Sequence, residues 1–552
     1  MPLRPSFRHP SSSGGPARRR TALVPVVAAF SLVGLVLTGC SQGTAAQDAP
    51  AGDPVSGGTL RLAFDTDPQC VDGQQVGNNT ALNVARQMTD SLTDQDPETG
   101  EIVPWLAESW EVSDDSREFT FHLRDGVTFQ DGTPFTSASV KENFEGIVDL
   151  GAKASLGSTY LAGLESVETP DDSTVTVTFS EPSAQFLQAT STMSLGFWSS
   201  DTLARTPEER CTGALVGTGP FVLESFAPAQ SVSLTRFDDY AWPSSLAQHE
   251  GPAYLDGIDI TVVPEATVRS GSLSSGQIDV DTAVQPQDEA VLESSGFPIV
   301  SRPNPGVVYH LFPNESQPIA ADPAVRKALS MAIDREELSS VLSAHQSPAT
   351  SVLAQSTPMY RDHSDLLAHD PEGAAALLDE AGWTLNEQTG IREKDGTPLS
   401  FTVTYWQSAP FLELVQQQAR AAGIDLRLDK KTISEVTAFR ESGDYEFDFY
   451  NLTRADPDVL RTVFDAHGRN VNQREASAVD EVLAESAGTL DEGTRRDLVD
   501  EAVVSLLEDG HAIPLVELSG VMATSPEVQG FAYEASSRLQ LFDTWLVGGG
   551  DR

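Results

Sequence analysis

Within one short stretch the apolar period of this chain changes twice. Residues 401–405 (FTVTY) alternate with a period of two, residues 411–422 read as a helix closed by Gly423, and residues 424–428 (IDLRL) alternate again. Strand, helix and strand in that order predict an α/β lobe. Upstream, Asp322-Pro323 is an N-cap followed by proline at the first helical position, with Val325, Ala328, Leu329, Ala332 and Ile333 on one apolar face. Asp370-Pro371 repeats the device, with Ala374, Leu377, Leu378 and Ala381 apolar and Gly382 as the stop. The N-terminal half reads as strands: residues 57–65 (GGTLRLAFD) and 174–179 (TVTVTF), the latter opened by the turn residues 170–173. Residues 117–131 predict a β-hairpin. Phe119, Phe121 and Leu123 share one face, Asp125-Gly126 turns the chain, and Val127 and Phe129 form the second arm.

The first 40 residues constrain where this fold resides. Arg18-Arg19-Arg20 precedes an apolar run over residues 21–38, which ends in Leu37-Thr38-Gly39-Cys40. A basic start, a short apolar stretch and small residues before a cleavage point make an export signal over residues 1–39. The junction resembles the bacterial lipobox, which implies acylation of Cys40; the alternative is an uncleaved membrane anchor. Acyl chains contribute about 0.8 kcal/mol per buried methylene, enough for stable attachment with two or more chains. Residues 40–56 read as a flexible tether. Beyond Cys40 only Cys70 and Cys211 remain, an even pair in an oxidising compartment. They are read as a disulfide, with two separate buried thiols as the alternative.

Charge and missing motifs exclude several function classes. The chain of 552 residues, long enough for two to four domains, holds 35 Lys+Arg against 81 Asp+Glu, a net charge of −46. The five basic residues before Cys40 are all arginine, so the remainder carries 30 basic and 81 acidic residues, a charge of −51. Such a surface repels phosphate backbones and excludes nucleic acid as a partner. The sequence has no Gly-x-Ser-x-Gly elbow, no phosphate-binding loop and no His-Glu-x-x-His, and its nine histidines are scattered. No catalytic, metal-binding or cofactor constellation is expected, and the chain is not read as an enzyme.

Eight collinear segments carry a resemblance. They are residues 57–62 (GGTLRL), 104–115 (PWLAESWEVSDD), 119–135 (FTFHLRDGVTFQDGTPF), 217–221 (GTGPF), 325–335 (VRKALSMAIDR), 376–383 (ALLDEAGW), 423–425 (GID) and 455–458 (ADPD). Together the chain resembles the extracytoplasmic solute-binding proteins of ABC importers, in the peptide/nickel class (family 5). The resemblance implies a two-lobed, type II periplasmic-binding-protein-like α/β fold with a hinge. The first lobe would span residues 57–306, with an extra subdomain at about 92–210. The second would span 307–516, with residues 517–552 returning to the first. The crossings would fall near residues 306–314 and 513–520. Trp105, Trp110, Phe119, Phe121 and Trp383 are expected to be core.

The family's cleft positions fall on Phe64 and Asp65 after the opening strand, Tyr309 at the crossing, and Tyr405 and Trp406 at a strand end. Residues 447–457 (FDFYNLTRADP) are the most informative. Dipeptide and oligopeptide binders carry Gly-Trp in the comparable stretch, then an Asp that pairs with the peptide's α-ammonium. Here Tyr450-Asn451 replace Gly-Trp, and Thr453-Arg454 occupy the Asp neighbourhood. An arginine there favours a carboxylate, which its planar fork grips bidentately. The alternatives are that Asp456 serves the amine, or that Arg454 pairs with Asp456 or Asp458. The expectation is a lipid-anchored protein on the extracytoplasmic face of the cell membrane, capturing a small peptide or peptide-like solute for a permease and ATPase in other chains. The alternatives are an anionic metal chelate as the solute and, from another class, an extracellular hydrolase.

Overall fold

The computed structural model describes residues 52–213, 215–406 and 409–549. Cys40, the export segment of residues 1–39 and the tether up to residue 51 lie outside the described residues.

Two mixed sheets organise the chain. The first runs, in spatial order, Ile299–Pro303, Ser519–Thr524, Val280–Asp281, Thr59–Phe64, Gly257–Val262, Ser231–Arg236 and Phe221–Ala227. Thr59–Phe64 is parallel to both of its neighbours, with Leu62 opposite Ile260 on one side and Val280 on the other. The second sheet runs Ser347–Pro348, Ile513–Glu517, Gly306–Pro313, Phe447–Thr453, Ser400–Tyr405 and Asp425–Lys430. Ser400–Tyr405 and Asp425–Lys430 are parallel, and the helix Phe411–Ala421 makes the crossover that a parallel pair needs. The Asp-Pro helices form at Pro323–Ala332 and Pro371–Glu380, and the Asp322 and Asp370 carboxylates accept from the amides of Ala324 and Gly373.

A four-stranded antiparallel sheet is added to the first lobe, in the order Ala107–Val112, Glu118–Leu123, Thr174–Phe179, Leu164–Asp171. Here the expected hairpin is corrected. Glu118–Leu123 pairs with Ala107–Val112 and Thr174–Phe179, not with a second arm at Val127 and Phe129. Those two side chains are buried, but in a tight loop where the Phe129 amide donates to the Thr133 carbonyl and the Phe135 amide to the Val127 carbonyl. Alternation reports which side chains face the core and says nothing about which strand lies alongside.

The apolar interiors of the lobes are separate. One buried cluster joins the seven-stranded and four-stranded sheets through residues such as Leu60, Phe119, Phe186 and Met522. The clusters of the second lobe draw only on residues 307–516, among them Leu311, Phe401 and Phe449, and Phe312, Tyr450 and Leu460. Among the described residues no buried apolar cluster mixes the two sets. Trp105, Phe119, Phe121 and Trp383 are buried, and Trp110 is half-buried against the first core.

The chain leaves the first sheet at Pro303, enters the second at Gly306, and returns between Glu517 and Ser519. The two crossings are bonded to each other, because the Asn304 amide donates to the Leu518 carbonyl at 2.8 Å. Gly306 has φ +109°, and a Cβ there would meet the Leu452 carbonyl at 2.3 Å, so this close approach requires glycine. In the first lobe Cys70 and Cys211 form a disulfide across a sequence separation of 141. Beside it the buried Asp72 accepts from Arg210 and from the Trp198 indole, both at 2.8 Å.

Candidate functional site: the seam between the lobes

The surfaces that meet between the sheets are polar. Ser301 Oγ and His345 Nδ1 share a hydrogen bond of 3.0 Å. A cavity of about 290 Å³ opens at this seam, near the lower end of the usual range for small-molecule pockets. Residues 95–100, Arg302, Pro303 and Ala535 line it from the first lobe, and residues 355–358 and Ala455 from the second. Arg302 donates from Nη2 to the Pro97 carbonyl at 2.5 Å, while its Nε and the nearby Ser356 Oγ have no hydrogen-bond partner. Asp96 and Glu98 bring carboxylates to the same wall, and the Thr99 and Glu98 amides hold the Asp96 carboxyl below its usual range. Guanidinium, hydroxyl and carboxylates together can orient a small dipolar or anionic solute.

Next to Ala455, Arg454 follows the strand Phe447–Thr453. Its amide donates to the Pro305 carbonyl at 3.0 Å, which ties it to the crossing. Its side chain is 2 % exposed. Nη1 donates to Thr462 Oγ1 at 2.6 Å and, across the seam, to Gln185 Oε1 at 3.4 Å. The guanidinium lies 4.7 Å from the centre of the Tyr160 ring, also across the seam, and Nε has no hydrogen-bond partner. No carboxylate among the described residues pairs with Arg454. Asp456 is gripped by Arg495 through two bonds of 2.7 and 3.0 Å, and Asp458 by Arg461 through two of 2.8 Å. Both acids expected to neutralise Arg454 are therefore committed to other arginines. A buried guanidinium balanced only by an aromatic face and neutral oxygens is costly unless something anionic meets it.

The first-lobe side adds two buried arginines, with the Glu534, Asp90 and Asp94 carboxyls within electrostatic reach of Arg86. Arg538 is buried within electrostatic reach of Tyr160, Glu534 and Arg86; burial pushes its pKa down and the Glu534 carboxylate opposes that. Arg86 is buried over Trp105, with Nη2 3.8 Å from Glu534 Oε2. Glu534 is the carboxylate shared among these arginines, inside a chain whose net charge is −46.

The remaining expected site residues do not converge on Arg454. Tyr309 is buried, stacks on Phe449 at 5.0 Å and has its pKa raised by burial; half-buried Tyr405 meets the same ring edge-on at 6.4 Å. Trp406 is half-buried just beyond that strand. Tyr450, on the opposite face of the sheet, stacks on Phe312 at 4.4 Å beneath the Arg440 guanidinium, and burial pushes its phenol up to about 12. Asn451 Nδ2 and Asn304 Nδ2 both donate to Thr453 Oγ1, at 3.5 and 3.1 Å, so Thr453 braces the crossing. Phe64 is buried in the first-lobe core, Asp65 beside it is exposed, and Asp456 is locked in its ion pair. Tyr160, Gln185, Arg302, Arg538 and Glu534 went unread in the sequence, because nothing local marks residues that gain their meaning across the seam.

Residues 101–467 match the family described as bacterial extracellular solute-binding proteins, family 5 Middle. The nickel-binding periplasmic protein of Escherichia coli K12 is 27 % identical over 460 residues, covering 79 % of this chain and 84 % of that protein. A probable D,D-dipeptide-binding periplasmic protein of the same organism is 25 % identical over 490 residues, covering 85 % and 90 %. Among solved structures, NikA from Brucella suis in complex with Fe(III)-EDTA superposes with a TM-score of 0.76 at 23 % identity, covering 89 % of this chain and all of that one. DppA from Helicobacter pylori in complex with the peptide STSA gives 0.73 at 23 % identity, covering 89 % and 98 %. The chain belongs to the family 5 extracellular solute-binding proteins of ABC importers, which are binding proteins and not enzymes.

Proposed function

We propose that this protein is held at the extracytoplasmic face of the cell membrane by lipid on Cys40, and that it captures a small carboxylate-bearing solute, a short peptide or peptide-like molecule, between its lobes. Arg454 carries the reading: it is buried at the seam, its Nε is unspent, and Asp456 and Asp458, close to it in sequence, are held by other arginines. The seam cavity beside Ala455, of about 290 Å³, suits a small solute, and Arg454 lies next to its lining rather than in it. A solute bridging the lobes shifts the open–closed equilibrium by its preference for the closed form, and that form is what a permease would read. Lipid anchoring rests on the Leu37–Cys40 junction, and no helix among the described residues is long and apolar enough to cross a membrane.

A second reading is an anionic metal chelate. It is favoured because Asp456 is not free for an ammonium, and because the described residues hold no group of His, Cys, Asp or Glu able to bind a bare ion. Native mass spectrometry of the gently purified chain separates the two, since a retained peptide lacks the isotope pattern of a metal complex. Against whichever solute is retained, Arg454→Gln should weaken binding at least about tenfold. Unchanged affinity in a folded variant would remove Arg454 from the site. Cys40→Ser should release the protein from membranes with affinity intact; continued retention would refute the lipid anchor.

A further inference from the structure

The lobes also touch where no solute is needed. Ser116 is fully buried in a first-lobe turn with φ +57°, a left-handed conformation that residues other than glycine hold at a cost. Its carbonyl accepts from the Ser183 amide at 2.9 Å, within the same lobe. Its hydroxyl crosses the seam and donates to the Gly488 carbonyl at 3.2 Å. Beside it the Ala184 amide donates to the Ala487 carbonyl at 2.8 Å. Ala487 ends the second-lobe helix Ala478–Ala487, whose final carbonyls have no partner within the helix. The other lobe supplies one.

Gly488 supports the same view. Its φ of −98° suits any residue, so the helix end does not demand glycine. The constraint comes from the first lobe, because a Cβ at 488 would lie 3.1 Å from Pro182 Cβ, tighter than an ordinary contact. From behind, Arg495 steadies this helix end, donating from Nε to the Ser486 carbonyl at 3.2 Å while it grips Asp456.

We infer that Ser116 and Ala184 on one lobe, with Ala487 and Gly488 on the other, form a latch that holds the lobes together in the absence of solute. Among the described residues no buried apolar cluster spans the seam, so a few such bonds set the resting balance between open and closed. A latch that raises the closed fraction raises the apparent affinity for any solute that binds the closed form, since apparent Kd is the intrinsic value divided by that fraction.

Ser116→Gly tests this without endangering the fold. Glycine relieves the left-handed strain and keeps the carbonyl bonded to Ser183, yet removes the hydroxyl that crosses the seam. Residue-level hydrogen exchange on the full chain, shown free of solute by native mass spectrometry, reads the Ala184 amide, with the Ser183 amide as internal control. The expected result is a protected Ala184 amide in the unsubstituted protein, exchanging about fivefold faster in Ser116→Gly, with Ser183 unchanged and Tm equal or higher. Gly488→Val should loosen the latch further by pressing on Pro182. An Ala184 amide that exchanges freely in the unsubstituted protein, or at one rate in all three proteins, would overturn the latch.

Discussion

Phe186 in the first lobe meets the rings of Phe179, Phe119, Phe144 and Phe121 at 4.7, 4.9, 6.0 and 6.2 Å, and Phe449 in the second lies among Tyr309, Phe411 and Tyr405. At the seam, among the described residues, the ring contact is that of Tyr160 facing the Arg454 guanidinium. The two interiors exclude water and are expensive to disturb. The hydrogen bonds named across the seam are single ones, each contributing about 0.5–1.5 kcal/mol. Two separate interiors joined by weak polar contacts can part and rejoin without either one unfolding, which is what capture between lobes requires.

The sharpest way to break this comparison is to empty one core. Phe186→Ala should destabilise the first lobe by about 3–5 kcal/mol, and Phe449→Ala the second by a similar amount. Because the cores are separate, calorimetry should show each substitution moving its own transition most. A single transition falling equally in both variants would mean that the seam couples the lobes far more tightly than its bonds suggest. Next in size is the disulfide. Replacing Cys70 and Cys211 together by alanine should cost about 2–4 kcal/mol, borne by the first lobe alone; a matching loss in the second-lobe transition would contradict that assignment.

A pH experiment sharpens the contrast from the other side. His310 is fully buried in the second lobe, with Nε2 unpartnered, and desolvation lowers its pKa to about 3. The folded state thus holds it neutral, and the unfolded chain binds a proton near pH 6.5. Its contribution is complete above that value and is lost as the pH falls toward 3. By pH 5 the loss is about 2 kcal/mol. His310→Gln should therefore flatten the acid dependence of the second-lobe transition between about pH 7 and 5 and leave the first lobe's unchanged. An equally steep slope in the variant would show that other groups drive acid unfolding.

How much of this was legible follows the same division. Asp322-Pro323 and Asp370-Pro371 announced their helices because a cap and its amide sit within three residues, and the 401–428 stretch announced its strand, helix and strand for the same local reason. The hairpin at 117–131 failed, because burial at Val127 and Phe129 looks the same in a loop as in a strand. Arg454 stood out as an arginine where an acid was expected. Its setting did not: Tyr160 and Gln185 lie in the other lobe, and Arg495, which removes Asp456 from competition, is 39 residues further on. Interiors write themselves into periodicity, whereas a seam depends on pairings that no local window contains.

The smallest predicted effect tests the joint itself. Asn304 sits between the sheets, its amide bonded to the returning crossing at Leu518 and its side chain to Thr453 Oγ1 at 3.1 Å. Asn304→Ala keeps the backbone bond and removes the brace, at a cost of about 1 kcal/mol or less. Neither unfolding transition should then shift appreciably, because Asn304 belongs to neither core. The change should appear instead in the motion between lobes, as faster hydrogen exchange at the Arg454 amide, which donates to the Pro305 carbonyl inside the crossing. If Asn304→Ala lowered a transition and left that amide protected, the crossing would be part of a core, and the division between rigid interiors and a yielding seam would fail at the residue where it should be clearest.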